Sequence, residues 1–424
     1  MKGNSLFQRD TLSWAFYDWA NSAFATTVVA GFFPLFFKEF WSLGVDATVS
    51  TFRLGVASSV SSLIIVVLAP ILGAISDSAG IKKKLLAVFA FVGIVSTFCL
   101  FLAGNGMWEL AIALYIVASL GFFGGNVFYD ALLLTVAPTS ERIHQVSGFG
   151  FALGYLGGGI LFAVNVFMVL KPELFGLADS AQAVQISFIT VAVWWAVFSI
   201  PIMLFVKEER VQAQGATSTI MSGIRQLAKT CRNLRTQRTI LLFLIAYWFY
   251  IDGVDSVFRM AVDYGLSIGL ASNDLITALL LVQFIGFPAA WAFGKLGQKI
   301  GPKPGIYIGI VVYLVATLWA SFMTTGTEFY ILAAMVGLVV GGIQALSRSL
   351  LGQLIPPEQA GEYYGFFNMV GKTAAVIGPF LVGWSALMFG SRLSIVSLSV
   401  LFLLGGIFLY FVKVPKDQTT EAHA

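Results

Sequence analysis

Apolar stretches of twenty or more residues recur along this chain with short polar breaks between them. Twelve stand out, at 12–37, 53–76, 85–104, 108–137, 146–170, 184–206, 239–263, 274–296, 305–325, 329–354, 364–388 and 393–413. A helix that crosses a bilayer needs about 20 apolar residues. Backbone groups in lipid must be paired internally, which leaves helices or a closed barrel. Barrel strands alternate apolar and polar over about ten residues. These runs are longer and apolar all round, so the pattern predicts an all-α membrane protein with twelve transmembrane helices. Only one break is long, at 207–238, and it divides the chain into a six-helix bundle (1–206), a linker and a second six-helix bundle (239–424). The part of the linker from Met221 to Arg238 fits a basic amphipathic helix on a membrane surface. A plain solvated connection explains the same residues.

The polar breaks themselves repeat. GAISDSAGIKKK begins at Gly73, and a worn copy, GKLGQKIGPK, begins at Gly294. Gly73 and Gly294, Gly80 and Gly301, and Lys82 and Lys303 are each 221 residues apart. Asp18, Asn21 and Ser22 in helix 1 match Asp252, Asp255 and Ser256 in helix 7 at an offset of 234. Gly124-Gly125 and Gly341-Gly342, then Gly148 and Gly365, share an offset of 217. Six crossings per half give both halves one orientation, a parallel repeat about an axis normal to the membrane. Transporters use such doubling to build a site that opens to either side.

Composition agrees with the pattern. The 424 residues are 58% hydrophobic and 11% charged, against roughly 25% charged in soluble domains. Eighteen of the 25 Lys and Arg residues fall in the N-terminal segment, alternate loops, the linker and the C-terminal tail that share one side, and four on the other. The positive-inside rule then places both termini in the cytoplasm. The net charge of +4 reads as topology and not as a nucleic-acid footprint. The polar start MKGNSLFQRD and the long first run do not resemble a signal peptide. Cys99 falls in a helix and Cys231 in the linker, so no disulfide is expected. His144 and His423 fall in a loop and a tail. No metal site and no cofactor is expected.

Charges inside the runs are the candidate chemistry, because each costs about 2.5–3.5 kcal/mol at mid-bilayer. Helix 7 holds Asp252, Asp255, Arg259 and Asp263 at helical spacing on one stripe. They form either a substrate or proton site or a structural ion pair. Helix 1 places Asp18, Asn21 and Ser22 on one face, beside Trp14 and Tyr17. Helix 4 adds Asn126 and Asp130, helix 10 adds Gln344 and Arg348, and helix 11 adds Lys372, which can also snorkel to the surface. Arg348 is too deep to escape and needs a carboxylate, from Asp130 or the helix 7 pair. Gly150, Gly154 and Gly158 on helix 5 permit close helix approach, with a sliding seam between the halves as an extension.

The loop motif GxxxDxxGxKK at 73–83, in a six-plus-six chain, resembles the signature of the major facilitator superfamily. It departs at Ser78 and Ile81, where basic residues are usual, and in the second copy at Gln298, where the Asp is lost. FYDWANSAFAT at 16–26 and QALSRSLLGQLIPPEQAGEYYGF at 344–366 resemble the "unknown major facilitator" branch, related to the autophagy-linked vacuolar effluxers. The resemblance implies that helices 1, 4, 7 and 10 line a central cavity. Asp18, Asp130, Asp252, Asp255 and Arg348 would then face one water-filled space. It also implies that the loop residues Gly73, Asp77, Gly80, Lys82 and Lys83, with Gly294, Gly301 and Lys303 in the second copy, form a cytoplasmic gate.

The expected function is secondary transport of a small polar solute by a monomer, coupled to protons, with efflux of amino acids or similar metabolites favoured and lipids as the surroundings. A bacterial inner membrane is the expected location. The alternatives are a sugar or drug transporter of the same fold, or a receptor or lipid-modifying enzyme without a transport cycle. Enzymes of that kind usually offer His, Cys or clustered acids at a membrane face, which this chain does not.

Overall fold

The computed structural model describes residues 6–45, 47–208, 225–230, 232, 237–267, 272–374, 377–389 and 391–414. Ten helices among them are long and apolar enough to cross a membrane. They are α1 Arg9–Phe36, α2 Ala47–Ala79, α3 Lys82–Cys99, α4 Trp108–Val136, α5 Ser140–Leu170, α6 Ser180–Phe205, α7 Arg238–Ser267, α8 Ser272–Ile300, α9 Pro302–Ala320 and α10 Gly326–Leu354. The eleventh apolar run holds α11 Ala360–Ala374 and α12 Ile377–Phe389, with residues 375 and 376 outside the described residues. The twelfth begins with two short turns and continues as α13 Ser399–Tyr410. Every apolar run in the sequence is therefore helical, and the protein is a multi-pass integral membrane protein.

Each half has its own core. Trp41, Trp195, Phe33 and Phe188 anchor one cluster in the first half, and Trp14, Tyr17 and Tyr129 a second. Tyr250, Tyr313, Tyr364 and Phe402 anchor the core of the second half. The halves meet along two seams, where α5 packs on α8 and α2 packs on α11.

The loops after α2, α4, α6, α8 and α10 share one end of the molecule, which we term the basic face. The two copies of the loop motif turn there alike. Gly80 has φ of 60° and Gly301 has φ of 84°, the left-handed region open mainly to glycine. Gly301 also has ψ of 162°, a combination essentially confined to glycine. Gly301→Ala is thus expected to cost about 1–3 kcal/mol, measured as a lower thermal midpoint of the purified protein.

Two features differ from the sequence reading. The outer part of α1 is π-helical over Phe24–Phe32, followed by a second π turn at Phe37–Trp41, which no periodicity marked. Gly150, Gly154 and Gly158 do not line the seam between the halves. Added Cβ atoms there would meet Trp14, Ser22 and Thr26, all on α1 of the same half, so the stripe packs α5 within its own bundle. Cys231, His423 and most of the linker lie outside the described residues.

Candidate gate and solute site

The repeated glycines meet one another across the halves. Gly73 on α2 lies against the Gly361 carbonyl at the start of α11, and a Cβ at Gly73 would overlap it. Gly148 on α5 lies against Gly294 on α8, where an added Cβ would come within 2.7 Å of the Gly294 Cα. The polar partners follow the same symmetry. Asp77 accepts the Gly361 N–H at 3.0 Å and the Glu362 N–H at 2.8 Å, capping α11, and is paired with Lys82 at 2.7 Å. A carboxylate suits that position because four amides are unsatisfied at a helix start and the dipole is positive there. In the second copy Gln298 replaces the acid and its side chain bonds to Gln145. An amide reaching a side chain replaces an acid capping a helix, so the two seams are alike in shape and unequal in charge.

Not every loop residue spans the halves. Lys83 donates to the Val206 carbonyl at 2.7 Å, and Lys303 to the carbonyls of Tyr410 and Val412 at 2.7 and 2.9 Å. Both lysines satisfy carbonyls at a helix C-terminus of their own half. The expectation that Lys83 and Lys303 belong to a cross-half gate is corrected on this point. Asp77, Gln298, Gly73 and Gly294 make the cross-half contacts.

One layer deeper lies the charged centre. Arg348 sits six residues before the end of α10, about 9 Å inside at 1.5 Å per residue. Its Nη1 is 3.2 Å from Asp130 Oδ1 and 3.7 Å from Asp18 Oδ2. Its Nε donates to Ser147 Oγ and its Nη2 to the Ser147 carbonyl, each at 2.9 Å. The guanidinium also lies 4.3 Å from the Phe151 ring centre and 5.0 Å from that of Trp14, near enough for cation–π attraction. Asp18 further accepts from the Tyr129 hydroxyl at 3.1 Å, and Asp130 from Asn368 at 3.1 Å. Nearby, His144 Nδ1 and Ser349 Oγ are hydrogen-bonded at 2.7 Å.

The centre is dry: Arg348 is 3% exposed, Asp130 7% and Asp18 9%. A lone buried ion would cost several kcal/mol, which explains so many partners around one guanidinium. The two acids and Ser147 belong to the first half, Arg348 and Asn368 to the second. Two carboxylates face one cation.

The helix 7 residues stand elsewhere. Both oxygens of Asp252 accept the Gly378 N–H at 3.0 Å, near the start of α12, and Ser256 donates to it at 3.3 Å. Asp252 is 1% exposed. It therefore holds backbone of the eleventh crossing instead of facing a shared aqueous space with Arg348. Asp255 is half-buried and does not pair with Arg348, so the helix 7 alternative for the partner of Arg348 is corrected. The side chains of Arg259 and Asp263 lie outside the described residues.

Four further polar residues, Asn126, Asp255, Gln344 and Lys372, are each half-buried, on α4, α7, α10 and α11. Asn21 donates to Asn126 at 2.6 Å. The Lys372 ammonium lies 3.6 Å over the Phe123 ring, one turn from Asn126 and on the other half. It does not snorkel. Its place is about 18 Å from the start of α11, twelve residues along.

The sequence missed several members of these layers: Ser147, Phe151, Asn368, Glu362 and His144. His144 is corrected from a loop residue to a buried one on α5. Only the segment QALSRSLLGQLIPPEQAGEYYGF, singled out above, contained any of them, at Glu362.

Residues 41–422 match the family described as vacuole effluxer Atg22 like. A Bacillus subtilis (strain 168) protein, described as the uncharacterized MFS-type transporter YxiO, is 38% identical over 98% of this chain and 97% of its own length. Autophagy-related protein 22 of Saccharomyces cerevisiae (strain ATCC 204508 / S288c) is 24% identical over 72% of this chain and 66% of its own. Among solved structures, the human organic anion transporter MFSD10 gives a TM-score of 0.72 at 14% identity, covering 95% of this chain and 99% of that one. The proton:xylose symporter XylE gives 0.71 at 13% identity, covering 96% and 95%. At such identities the structural likeness speaks for the fold alone.

Proposed function

This chain belongs to the Atg22-like family of the major facilitator superfamily, and on that premise we propose that it is a secondary transporter moving a small polar solute by alternating access. The observation that carries the reading is the charged centre shared between the halves. Arg348 from one bundle is held by Asp18, Asp130 and Ser147 from the other. Such contacts can break as a unit when the bundles rock apart, because each bundle keeps its own core.

On this reading the basic face is cytoplasmic and closed. The two glycine seams and the Asp77 cap support that, since all lie at that end. Among the described residues α2 packs closely on α11 and far less on α12, which supports an opening toward the opposite face. The solute would sit among the half-buried Asn126, Asp255, Gln344 and Lys372. Groups of both signs there suit a zwitterion such as an amino acid, and the family description of an effluxer favours export.

Coupling follows from charge counting. Two acids around one guanidinium leave one negative charge in excess when all are ionised. A dry site disfavours that excess, so a proton taken up by Asp18 or Asp130 would balance it. Asp130→Asn is therefore expected to lower proton-driven solute accumulation at least tenfold while affecting exchange at equal pH less. The reading as a whole is tested by counterflow into liposomes holding the pure protein, across amino acids, sugars, nucleosides and organic anions. Saturable exchange of one class is expected, and none across the panel would overturn it.

A further inference from the structure

One acid at the closed basic face is unexplained by the cap or the charged centre. Glu362, in the first turn of α11, has a backbone N–H that serves Asp77, while its side chain is 0% exposed. Neither carboxylate oxygen has a hydrogen-bond partner of ordinary geometry among the described residues. Thr230 and Gln226 of the linker face it. Thr230 is itself buried, and Leu227 packs on the second-half core. The adjacent Tyr363 hydroxyl donates to Gln237 at 2.5 Å. The linker thus covers the turn of α11 that holds the two halves together.

Among the described residues, the surrounding charges do not neutralise Glu362. Asp77 is already paired with Lys82 at 2.7 Å. The amides of Lys82 and Lys83 are taken by the Glu208 carboxylate at 2.7 and 3.0 Å. Arg225 and Lys229 on the linker are exposed, on positions turned outward. The start of α11 favours an anion only weakly. Burying an unpaired carboxylate costs far more than that, so the helix dipole loses.

Resting on the alternating-access reading, we infer that Glu362 is a proton-binding site of the closed gate, kept dry by the linker, so that closing the basic face takes up a proton and opening it releases one. No carboxylate of the membrane interior takes part in this step. Glu362 lies outside the apolar run 364–388. Burial pushes its carboxyl above the usual carboxylate range, and the Asp77 charge pushes it further, against the pull of Thr230 and Gln226. The sign follows. The closed state holds the proton more tightly than the open, hydrated one. Its advantage is complete below the ordinary carboxylate value of 4.5, and is lost as pH rises from there through the raised closed-state value.

The test measures the gate and needs no substrate. Spin labels on Lys84→Cys and Glu358→Cys, exposed on opposite halves at the basic face, are placed in the full chain with Cys99 and Cys231 changed to serine. Distances are read in nanodiscs from pH 4.5 to 8. A short distance at low pH with a growing long population at higher pH is expected. Glu362→Gln should keep the short distance throughout, with at least a tenfold smaller open population at pH 8. Glu362→Asp should fold and retain a pH response, its midpoint moved. An unaltered pH response in Glu362→Gln, or a wild-type gate that ignores pH, overturns the inference. Normal solute counterflow with a pH-blind gate would sink Glu362 alone. A pH-responsive gate without any counterflow would sink only the transport reading.

Discussion

Arg348→Gln is expected to cost the protein its closed basic face and about 100- to 1000-fold in solute exchange. Arg348 is the only cation within reach of Asp18 and Asp130 among the described residues, and all three are nearly sealed from water. Removing one partner of a buried ion pair costs about 3–5 kcal/mol, and each 1.4 kcal/mol is a factor of ten. The penalty falls on the closed state, because in the open state water can solvate the stranded acids. Arg348→Lys should rescue little. A single ammonium cannot reproduce the separate contacts of Nε, Nη1 and Nη2 with Ser147 and Asp130. Arg348→Gln with Asp130→Asn should recover part of the loss, since the pair was coupled. Counterflow in liposomes measures all of these, and near-normal exchange in Arg348→Gln would remove the charged centre from the transport cycle.

Gly73→Val is expected to leave a folded protein whose basic face no longer closes, with exchange down at least 100-fold. A side chain at Gly73 would collide with backbone, the Gly361 carbonyl, and backbone cannot swing aside as a side chain can. The cores of the two halves do not depend on that contact, so the thermal midpoint should stay close to wild type. Access is the sharper readout. Ser349 is buried beneath the gate and bonded to His144, and Ser349→Cys is nearly isosteric. A membrane-impermeant maleimide should reach that cysteine from the basic face in the Gly73→Val background and not with glycine in place. Protection in both backgrounds would mean that the seam yields without opening.

The membrane helices were legible in the sequence because length and hydrophobicity are properties of a segment alone. The helices observed overlap all twelve apolar runs. The repeat offsets were equally legible, and they acquired meaning in the structure. Residues 221 apart, Gly73 and Gly294, occupy equivalent seams, the first against Gly361 and the second against Gly148, a member of the other repeated set. Asp130 was among the partners named for Arg348, since a deep guanidinium has few carboxylates within reach. Asp18 as its second partner was not read from the chain.

Four acids or bases on one face of helix 7 suggested a single stripe with one role. Whether Asp252 would meet water, Arg348 or a backbone amide depended on which part of the eleventh crossing packs beside it, here Gly378, and nothing in the helix 7 sequence encodes that. Gly150, Gly154 and Gly158 promised close approach without saying to which helix, because a missing Cβ is complementary to any neighbour. Lys83 and Lys303 looked like gate cations and turned out to serve carbonyls of their own halves.

The sequence by itself determined which segments are buried in lipid, that they come as two copies, and that unpaired charge inside them needs partners. Only the tertiary structure decided which partners those are, since a buried charge takes the nearest group of opposite sign or the nearest free donor. Across two bundles, nearness is a matter of packing and not of spacing along a chain.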